Sequence, residues 1–279
     1  MIIPAPYWVS YSDLVKLTGA SPVVIPTEES KGFKLSPEQF RAAVTPRSKL
    51  IMLNSPSNPT GVVYSREELK ALADAIVETD VNVLSDEIYE QLTYGDVKPT
   101  CFATLRPELA DRTITISGVS KTYAMTGWRI GWSVAPSAIS KFMGDLQSQE
   151  TSNPCSVSQY AALEAITGRQ ESVVAMKAEF QKRRDYVLSR IKDLPHVTCP
   201  PPDGAFYVFL NVSHYFGKTL GGVPIKDSTT FCTAALGSAK VALVMGSAFG
   251  AEGYARLSFA TSMETIEQGL DALSKFLQG

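Results

Sequence analysis

The sequence predicts an α/β protein in which helices flank a mostly parallel sheet, followed by a smaller α+β unit. In the first half, short apolar runs alternate with amphipathic helices, and turn residues bound each run. After about residue 165 the pattern changes to one long charged helix and then strands mixed with helices. A chain of 279 residues is long enough for two domains. We expect a large domain over residues 1–165 and a small one over residues 166–279.

Five strand candidates in the first half share a nearly continuous apolar or β-branched composition. They are residues 23–25, 50–53, 81–84, 113–116 and 130–134. This composition is typical of parallel strands covered on both faces, so we expect all five to be buried.

Helices between these strands are marked by their start signals. Residues 36–39 (Ser-Pro-Glu-Gln) combine an N-cap serine, a first-turn proline and a glutamine at the third helical position. Residues 65–68 (Ser-Arg-Glu-Glu) form a capping box that opens a helix to about Val77. In the second half we predict helices at 170–194, near 228–236 and after 262, and strands at 204–212, near 241–244 and at 254–260.

Composition excludes several classes of function. With 26 basic and 28 acidic residues, the net charge of −2 gives no basic face for nucleic acid. No apolar run approaches the length of a membrane span. Two histidines supply neither a zinc site nor a Ser-His-Asp triad, and we predict no metal site. The four cysteines are widely spaced, so we expect reduced thiols, mostly core fillers, in a cytoplasmic protein.

Polar residues follow three successive strands of the predicted parallel sheet. Asn58 follows the strand at 50–53, Asp86 and Tyr89 follow that at 81–84, and Lys121 follows that at 113–116. Because ligands bind outside the carboxyl ends of parallel strands, we expect these side chains at one edge, with Arg129 returning to it.

A phosphorylated pyridine aldehyde would engage all five groups. The Lys121 amine would condense with the aldehyde, and the Asp86 carboxylate would keep the ring nitrogen protonated. Asn58 and Tyr89 would donate to the ring's phenolate oxygen. The fixed charge and forked shape of Arg129 suit a phosphate.

Five ordered segments resemble those of the class I pyridoxal-phosphate aminotransferases, and the resemblance covers essentially the whole chain. They are PAPYWVSY from Pro4, SPSNPTG from Ser55, SDEIY from Ser85, SGVSKTYAMTGWRIG from Ser117 and YARLSFATS from Tyr254. The subgroup they suggest is the bacterial-type aspartate aminotransferases, which includes aspartate/prephenate aminotransferases. Each segment alone is a weak signal, but five in the expected order are specific.

The resemblance implies transamination between an amino acid and a 2-oxo acid by a ping-pong mechanism. Lys121 would hold pyridoxal 5'-phosphate as a Schiff base and then move the substrate's α-proton. Trp8 would stack on the cofactor ring, and Arg256 would bind the substrate's α-carboxylate beside Asn58 and Trp8. Members of the family are homodimers, so we expect self-association.

Each of these residues also has a purely structural interpretation. The alternatives are a solvated loop lysine for Lys121, a helix cap for Asp86, core packing for Tyr89 and Trp8, a turn for Asn58 and a surface ion pair for Arg256. We place no functional weight on Tyr207.

The resemblance starts at Met1, which corresponds to a point well inside the family's large domain. Without the family's preceding portion we expect an exposed sheet edge and an incomplete phosphate cup. A second hypothesis is therefore a protein that keeps the fold and binds the cofactor without transamination. A nicotinamide oxidoreductase is disfavoured because no G-x-G-x-x-G follows a strand.

Overall fold

The computed structural model describes residues 1–278 and is built around a six-stranded sheet, called here the large sheet. Its strands are β1 (Ile2–Ala5), β2 (Val23–Pro26), β3 (Leu50–Asn54), β4 (Asn82–Asp86), β5 (Thr113–Gly118) and β6 (Gly131–Val134). They lie in the order β2-β1-β3-β4-β5-β6, and only β6 runs antiparallel to its neighbour. This confirms the predicted α/β class. Strand β1 is not among the predicted strands, and only its last two residues, Pro4 and Ala5, belong to the PAPYWVSY segment.

The two edges of the large sheet differ from its centre. Residues of β1, β3 and β4 are largely buried, but β2 and β6 expose most of their side chains, including 67% of Val134. The prediction that all five candidate strands are buried on both faces was therefore wrong for β2 and β6. Composition shows that a strand is apolar, but not where it lies in the sheet. β2 and β6 are the two edge strands, and their side chains are the exposed ones.

The α-helices of the first half include the two that were predicted from start signals at residues 36–39 and 65–68. They are α1 (Ser10–Leu17), α2 (Pro37–Ala43), α3 (Arg66–Val77), α4 (Pro107–Ala110) and α5 (Val119–Thr122). Both predicted capping boxes are present, with Ser36 capping α2 and Ser65 capping α3. Leu69, Leu72 and Ile76 of α3 are buried in the core beside the large sheet, as their spacing predicts.

The second half contains long helices and a three-stranded antiparallel sheet, called here the small sheet, in the order β10-β11-β7. Its elements are α6 (Ser137–Glu150), α7 (Ser156–Thr167), α8 (Glu171–Ile191), β7 (Tyr207–Asn211), β8 (Thr219–Leu220), β9 (Val223–Pro224), α9 (Ser228–Ala234), β10 (Val244–Met245), β11 (Tyr254–Ser258) and α10 (Met263–Gln278). The strand predicted near 241–244 is shorter and later. A π-helical turn, Ala235–Ala239, continues α9, and Lys240 with φ 59° ends it, so residues 241–243 form the exit from this turn.

The two sheets are joined at a point where backbone meets backbone, called here the glycine junction (Gly61 and Gly204). The Gly204 amide donates to the Gly61 carbonyl at 2.8 Å. Gly61 has φ 69°, and a Cβ there would lie 2.8 Å from the Gly204 oxygen and 2.9 Å from the Tyr207 oxygen. No side chain fits this approach without displacement of main-chain atoms.

Helices α6 and α7 present apolar side chains to solvent. Phe142 is 76% exposed and Tyr160 is 75% exposed. No residue of α6 is buried. Exposed large apolar side chains that concentrate on two helices are typical of an interface.

The cysteines and histidines do not cluster into a reactive group. All four cysteines are free, but only Cys232 is buried, so the expectation that most of them fill the core was wrong. The two histidines lie on exposed loops, as expected, and their rings stack with centroids 3.8 Å apart. Within residues 1–278, no group of three potential metal ligands comes together and no helix is long and apolar enough to cross a membrane.

Candidate active site

A cavity of about 410 Å³ opens at the carboxyl ends of the central strands of the large sheet. This volume lies in the range of cofactor and small-molecule sites. Six of the seven predicted site residues line it: Trp8, Asn58, Asp86, Tyr89, Lys121 and Arg256. The predicted convergence of strand ends is thus observed, and Arg256 joins it from the small sheet.

Lys121 lies in α5, the short helix that directly follows β5. The turn into α5 needs Gly118 for space, since a Cβ there would lie 2.9 Å from the Ile130 oxygen and 3.0 Å from the Gly131 Cα of β6. Burial lowers the pKa of the Lys121 amine, and the charges of Arg129 and Arg256 lower it further. A lysine with a lowered pKa is suited to act as a nucleophile and a base near neutral pH.

Asp86 ends β4 and is held by two donors. The Tyr11 hydroxyl donates to its Oδ2, and the Ile88 amide donates to its Oδ1 at 3.1 Å. Burial raises the pKa of the Asp86 carboxyl, whereas these bonds and the charge of Lys121 oppose the rise. A largely buried carboxylate with this environment is suited to a cationic nitrogen brought in by a ligand.

Tyr89 is buried beside the cavity, and its hydroxyl lies 2.9 Å from the hydroxyl of Tyr207. Burial raises the pKa of Tyr89 far above its ordinary value, and the neighbouring Tyr207 and Asp86 raise it further. Tyr89 is therefore a neutral hydrogen-bonding phenol at physiological pH. Its ring also lies 5.9 Å from the Lys121 Nζ.

Asn58 and Arg256 connect the two sheets across the cavity. The Arg256 Nη1 donates to the Asn58 Oδ1 at 2.8 Å, which leaves the Asn58 amide nitrogen available as a donor. The Asn58 backbone amide in turn donates to the Asn54 Oδ1 at 2.8 Å, and the Asn54 Nδ2 donates to the Asp86 carbonyl at 2.9 Å. These bonds hold the loop after β3 against the end of β4.

Arg256 lies in an aromatic setting in the middle of β11. Its guanidinium carbon is 4.4 Å from the ring centroid of Tyr207 and 5.1 Å from that of Phe249. Within the described residues, its buried Nε has no hydrogen-bond partner. A partly buried guanidinium with an unsatisfied donor at a cavity is suited to an anionic ligand.

Trp8 and Arg129 differ in position. Trp8 lines the cavity, is 39% exposed and contacts the Tyr11 ring edge-to-face at 5.6 Å. Arg129 has φ 58°, donates to the Thr126 carbonyl at 2.9 Å and does not line the cavity, although its charge acts on Lys121.

Three further residues of the site were not selected by the sequence analysis. Tyr207 and Asn54 line the cavity, and Tyr11 holds Asp86. Tyr11 stands in the PAPYWVSY segment and Tyr207 in the GAFYVF strand. These segments indicated which parts of the chain form the site. Only the packing shows that Tyr11 contacts the Asp86 carboxylate and that Tyr207 contacts the Tyr89 hydroxyl.

Comparison with known proteins identifies the family. The family model described as aminotransferase class I and II matches residues 1–273. The chain belongs to the class I and II aminotransferases. It is 48% identical over 281 aligned residues to the aspartate/prephenate aminotransferase of Cereibacter sphaeroides and 46% identical over 278 residues to the aspartate aminotransferase of Geobacillus stearothermophilus. Each alignment covers 100% of this chain and 70% of the relative.

A solved structure agrees with these relatives. The crystal structure of the aspartate aminotransferase from Rhizobium meliloti superposes with a TM-score of 0.95 at 41% identity, covering 99% of this chain and 70% of that chain. Both the resemblance to class I aminotransferases and the fold are thereby confirmed, and the chain is an aminotransferase-family enzyme.

Class I and II aminotransferases use pyridoxal phosphate, and the donor set of this cavity fits that group. The cavity offers an amine of lowered pKa, a buried carboxylate, a neutral phenol, an amide donor and a guanidinium with an unsatisfied Nε. An aldehyde, a pyridine nitrogen, a ring hydroxyl and a substrate carboxylate are their chemical complements.

Proposed function

We propose that this protein catalyses pyridoxal-phosphate-dependent transamination between an amino acid and a 2-oxo acid by a ping-pong mechanism. The observation that carries the proposal is the pairing, in one cavity, of the lowered-pKa amine of Lys121 with the buried carboxylate of Asp86. The names of the relatives support the reaction class.

Bound at this site, pyridoxal phosphate supplies an aldehyde for attachment and a protonated ring that withdraws electrons from the substrate's α-carbon. Lys121 would hold the group through its Nζ, and the same Nζ would serve as the base for the substrate's α-proton. Asp86 keeps the ring nitrogen protonated, with its own orientation fixed by the Tyr11 hydroxyl. Tyr89 and Asn58 would supply hydrogen bonds to the ring oxygen, and Trp8 would supply an aromatic surface for the ring.

Arg256 binds the substrate's α-carboxylate in this proposal. A guanidinium presents two parallel donors to a carboxylate, which fixes the orientation of the α-carbon as well as the affinity. Arg129, whose charge acts on Lys121, would hold the phosphate. The proposed substrate is an aspartate-like, glutamate-like or prephenate-derived amino acid, and the names of the relatives support aspartate and prephenate.

The attachment is tested by borohydride reduction of the protein loaded with pyridoxal phosphate, followed by peptide mapping. We expect the label on the peptide that contains Lys121; a label on another lysine would refute the assignment. Adding aspartate or glutamate should convert the absorbance of the loaded protein to that of the pyridoxamine form. A stable absorbance that no amino acid changes would support the alternative of a binding protein without transaminase activity.

We also propose that the protein forms a homodimer in which a second copy covers α6 and α7. The exposed apolar side chains of these helices, Phe142 and Tyr160 among them, support this. Sedimentation should give the mass of a dimer, and the double substitution F142E/Y160E should shift it to a monomer. A wild-type monomer, or a variant that still dimerises, would contradict the proposal.

Two further assignments belong to the same proposal. The division at residues 1–165 and 166–279 is supported by α8, whose Val187 and Ile191 pack in the same core as the small sheet. The free state of all four cysteines supports a cytoplasmic location, where thiols stay reduced.

A further inference from the structure

A second connection between the two sheets lies outside the cavity, in the segment that leaves β2. Glu29, in the 3₁₀ turn Glu29–Lys31, reaches the small sheet with both carboxylate oxygens. Its Oε1 accepts from the Thr198 hydroxyl at 2.9 Å, and its Oε2 accepts from the Asn211 Nδ2 at 2.9 Å and the Tyr254 hydroxyl at 3.1 Å. Hydrogen bonds to an ionised acceptor are among the stronger ones in proteins.

The three donors form one row across the small sheet. Asn211 of β7 is the cross-strand partner of Tyr254 of β11, and Thr198 forms a β-bridge with Asn211 on the other side. One carboxylate therefore fixes three adjacent segments at the same level. Because the side-chain contacts reach across the sheet, a shift of any one segment breaks a bond to Glu29.

The same segment also packs an aromatic ring on this face. Phe33 is buried against Tyr254 at 5.2 Å and Phe209 at 5.8 Å between ring centroids. We call Glu29 and Phe33 together the clasp. The Phe209 ring stacks on the Tyr254 ring with centroids 4.9 Å apart. The Glu29 carboxylate and the Phe33 ring therefore contact a single aromatic unit, made of Phe209 and Tyr254.

This aromatic unit is the immediate support of Arg256. Tyr254 and Arg256 are two residues apart in β11, so their side chains leave the same face of the strand. Phe209 is the cross-strand partner of Arg256. The ring centroid of Phe249 lies 5.9 Å from that of Phe209 and 5.1 Å from the guanidinium carbon of Arg256. The clasp therefore holds β11 at Tyr254, and the hydrogen bond to Asn58 holds the Arg256 side chain at its guanidinium.

We propose that Glu29 is a positioning residue that sets the placement of Arg256 over the cavity and thereby the affinity for the substrate's carboxylate. The inference rests on the proposed function, since it assigns Arg256 to that carboxylate. Glu29 does not line the cavity. Unlike the glycine junction, which joins main chain to main chain, the clasp joins the sheets through side chains and can be removed one bond at a time.

The test compares Glu29→Ala with Glu28→Ala in protein loaded with pyridoxal phosphate. Glu28 is a matched control, because its carboxylate contacts Ser30 and, at 3.3 Å, Lys31 within its own turn. Maleate, a dicarboxylate without an amino group, is titrated by calorimetry. We expect the Glu29→Ala variant to bind maleate about tenfold more weakly, equivalent to about 1.4 kcal/mol, with Glu28→Ala unchanged.

Kinetics separate positioning from a general loss of structure. In Glu29→Ala, KM for the amino acid should rise about tenfold while kcat stays within about twofold, because saturating substrate still fills the site. Tyr254→Phe removes one hydrogen-bond donor to Glu29 and keeps the ring, so we expect KM for the amino acid to rise about threefold. Equal maleate affinity in the Glu29→Ala and Glu28→Ala variants, or a loss of affinity for pyridoxal phosphate as large as that for maleate, would overturn the proposal.

A failure of the proposed function appears in a different measurement, namely wild-type protein that takes up no pyridoxal phosphate. In that case, hydrogen exchange of the β11 amides tests whether the clasp holds β11 in place, without any bound cofactor or substrate. Faster exchange over Tyr254–Ser258 in Glu29→Ala than in Glu28→Ala would support it, and equal exchange would refute it.

Discussion

The large sheet and the small sheet contribute to the cavity in different ways. Asp86 and Lys121 come from the ends of parallel strands, where the chain leaves the sheet and polar groups meet at one edge. Arg256 comes from the middle of an antiparallel strand and reaches the cavity only because the small sheet packs over it. In the proposed function, the groups that carry out the chemistry thus come from the large sheet and the group that binds the substrate's carboxylate comes from the small sheet.

This division predicts that variants of the two layers have different kinetic effects. Substitutions at the ends of β4 and β5 should act on the chemical step, and substitutions in β11 should act on substrate binding. The layers are not independent, because the charge of Arg256 also lowers the pKa of Lys121. Substrate bound at Arg256 would neutralise part of that charge and return basicity to the amine.

The largest expected effect comes from Lys121→Ala. Loss of the amine removes both the attachment point and the base, so we expect kcat to fall by more than about 10⁴-fold. Steady-state transamination of aspartate and glutamate is the measurement. Lys182→Ala, which removes an exposed lysine near Glu179 on α8, should leave the rate unchanged. Wild-type-like turnover in Lys121→Ala would break the assignment of chemistry to the large sheet.

Arg256→Lys tests the other layer. Lysine keeps the charge but loses the planar pair of donors and the bond to the Asn58 Oδ1. We expect KM for the amino acid to rise about 100-fold, with kcat reduced much less. Arg169→Lys, at an exposed arginine paired with Glu171, is the control. A fall in kcat with unchanged KM would show that Arg256 acts on chemistry and not on binding.

Gly61→Ala tests the junction between the layers. An alanine there meets both an unfavourable positive φ and two carbonyl oxygens, whereas at Gly95, with φ 60°, an added Cβ would have no atom within 4 Å. We expect Gly61→Ala to lower the free energy of unfolding by about 2 kcal/mol more than Gly95→Ala does. Urea denaturation of both variants measures the difference. Equal losses would mean that the backbone approach at the junction relaxes freely.

The smallest effect concerns Asp86 in the cofactor-free protein. Its folded pKa is raised, so the native state holds a proton that the unfolded state has already lost. The contribution of Asp86 to stability is therefore full below its unfolded pKa and is lost as the pH rises through its folded pKa. Asp86→Asn removes this loss, and we expect it to stabilise the protein by about 1 kcal/mol at pH 7.

The pH dependence is the check on that prediction. Below the unfolded pKa the carboxyl is neutral in both states, so the advantage of Asp86→Asn should shrink in acid. Denaturation at pH 7 and at low pH measures it. An advantage that is the same at both pH values would show that burial of the charge is not its cause.

Local signals in the sequence predicted the starts of two helices and the strand ends that form the cavity. The capping boxes at Ser36 and Ser65 depend on residues three apart, and both helices begin where these signals lie. Strand ends bearing Asp86 and Lys121 were recognisable because a parallel sheet sends all its carboxyl ends to one side. The ordered motifs also brought Arg256 and Trp8 to the site, although neither follows a strand of the large sheet in the way that Asp86 and Lys121 do.

The sequence by itself determined the α/β class, the family and six of the side chains that line the cavity, because these depend on local pattern and on the order of motifs. Only the tertiary structure decided that β2 and β6 are edges, that Tyr11 holds Asp86, that Tyr207 meets Tyr89 and that Glu29 grips the small sheet. Each of these contacts joins residues far apart in the chain. Their partners are chosen by how the layers pack, and packing leaves no periodic signature in either segment.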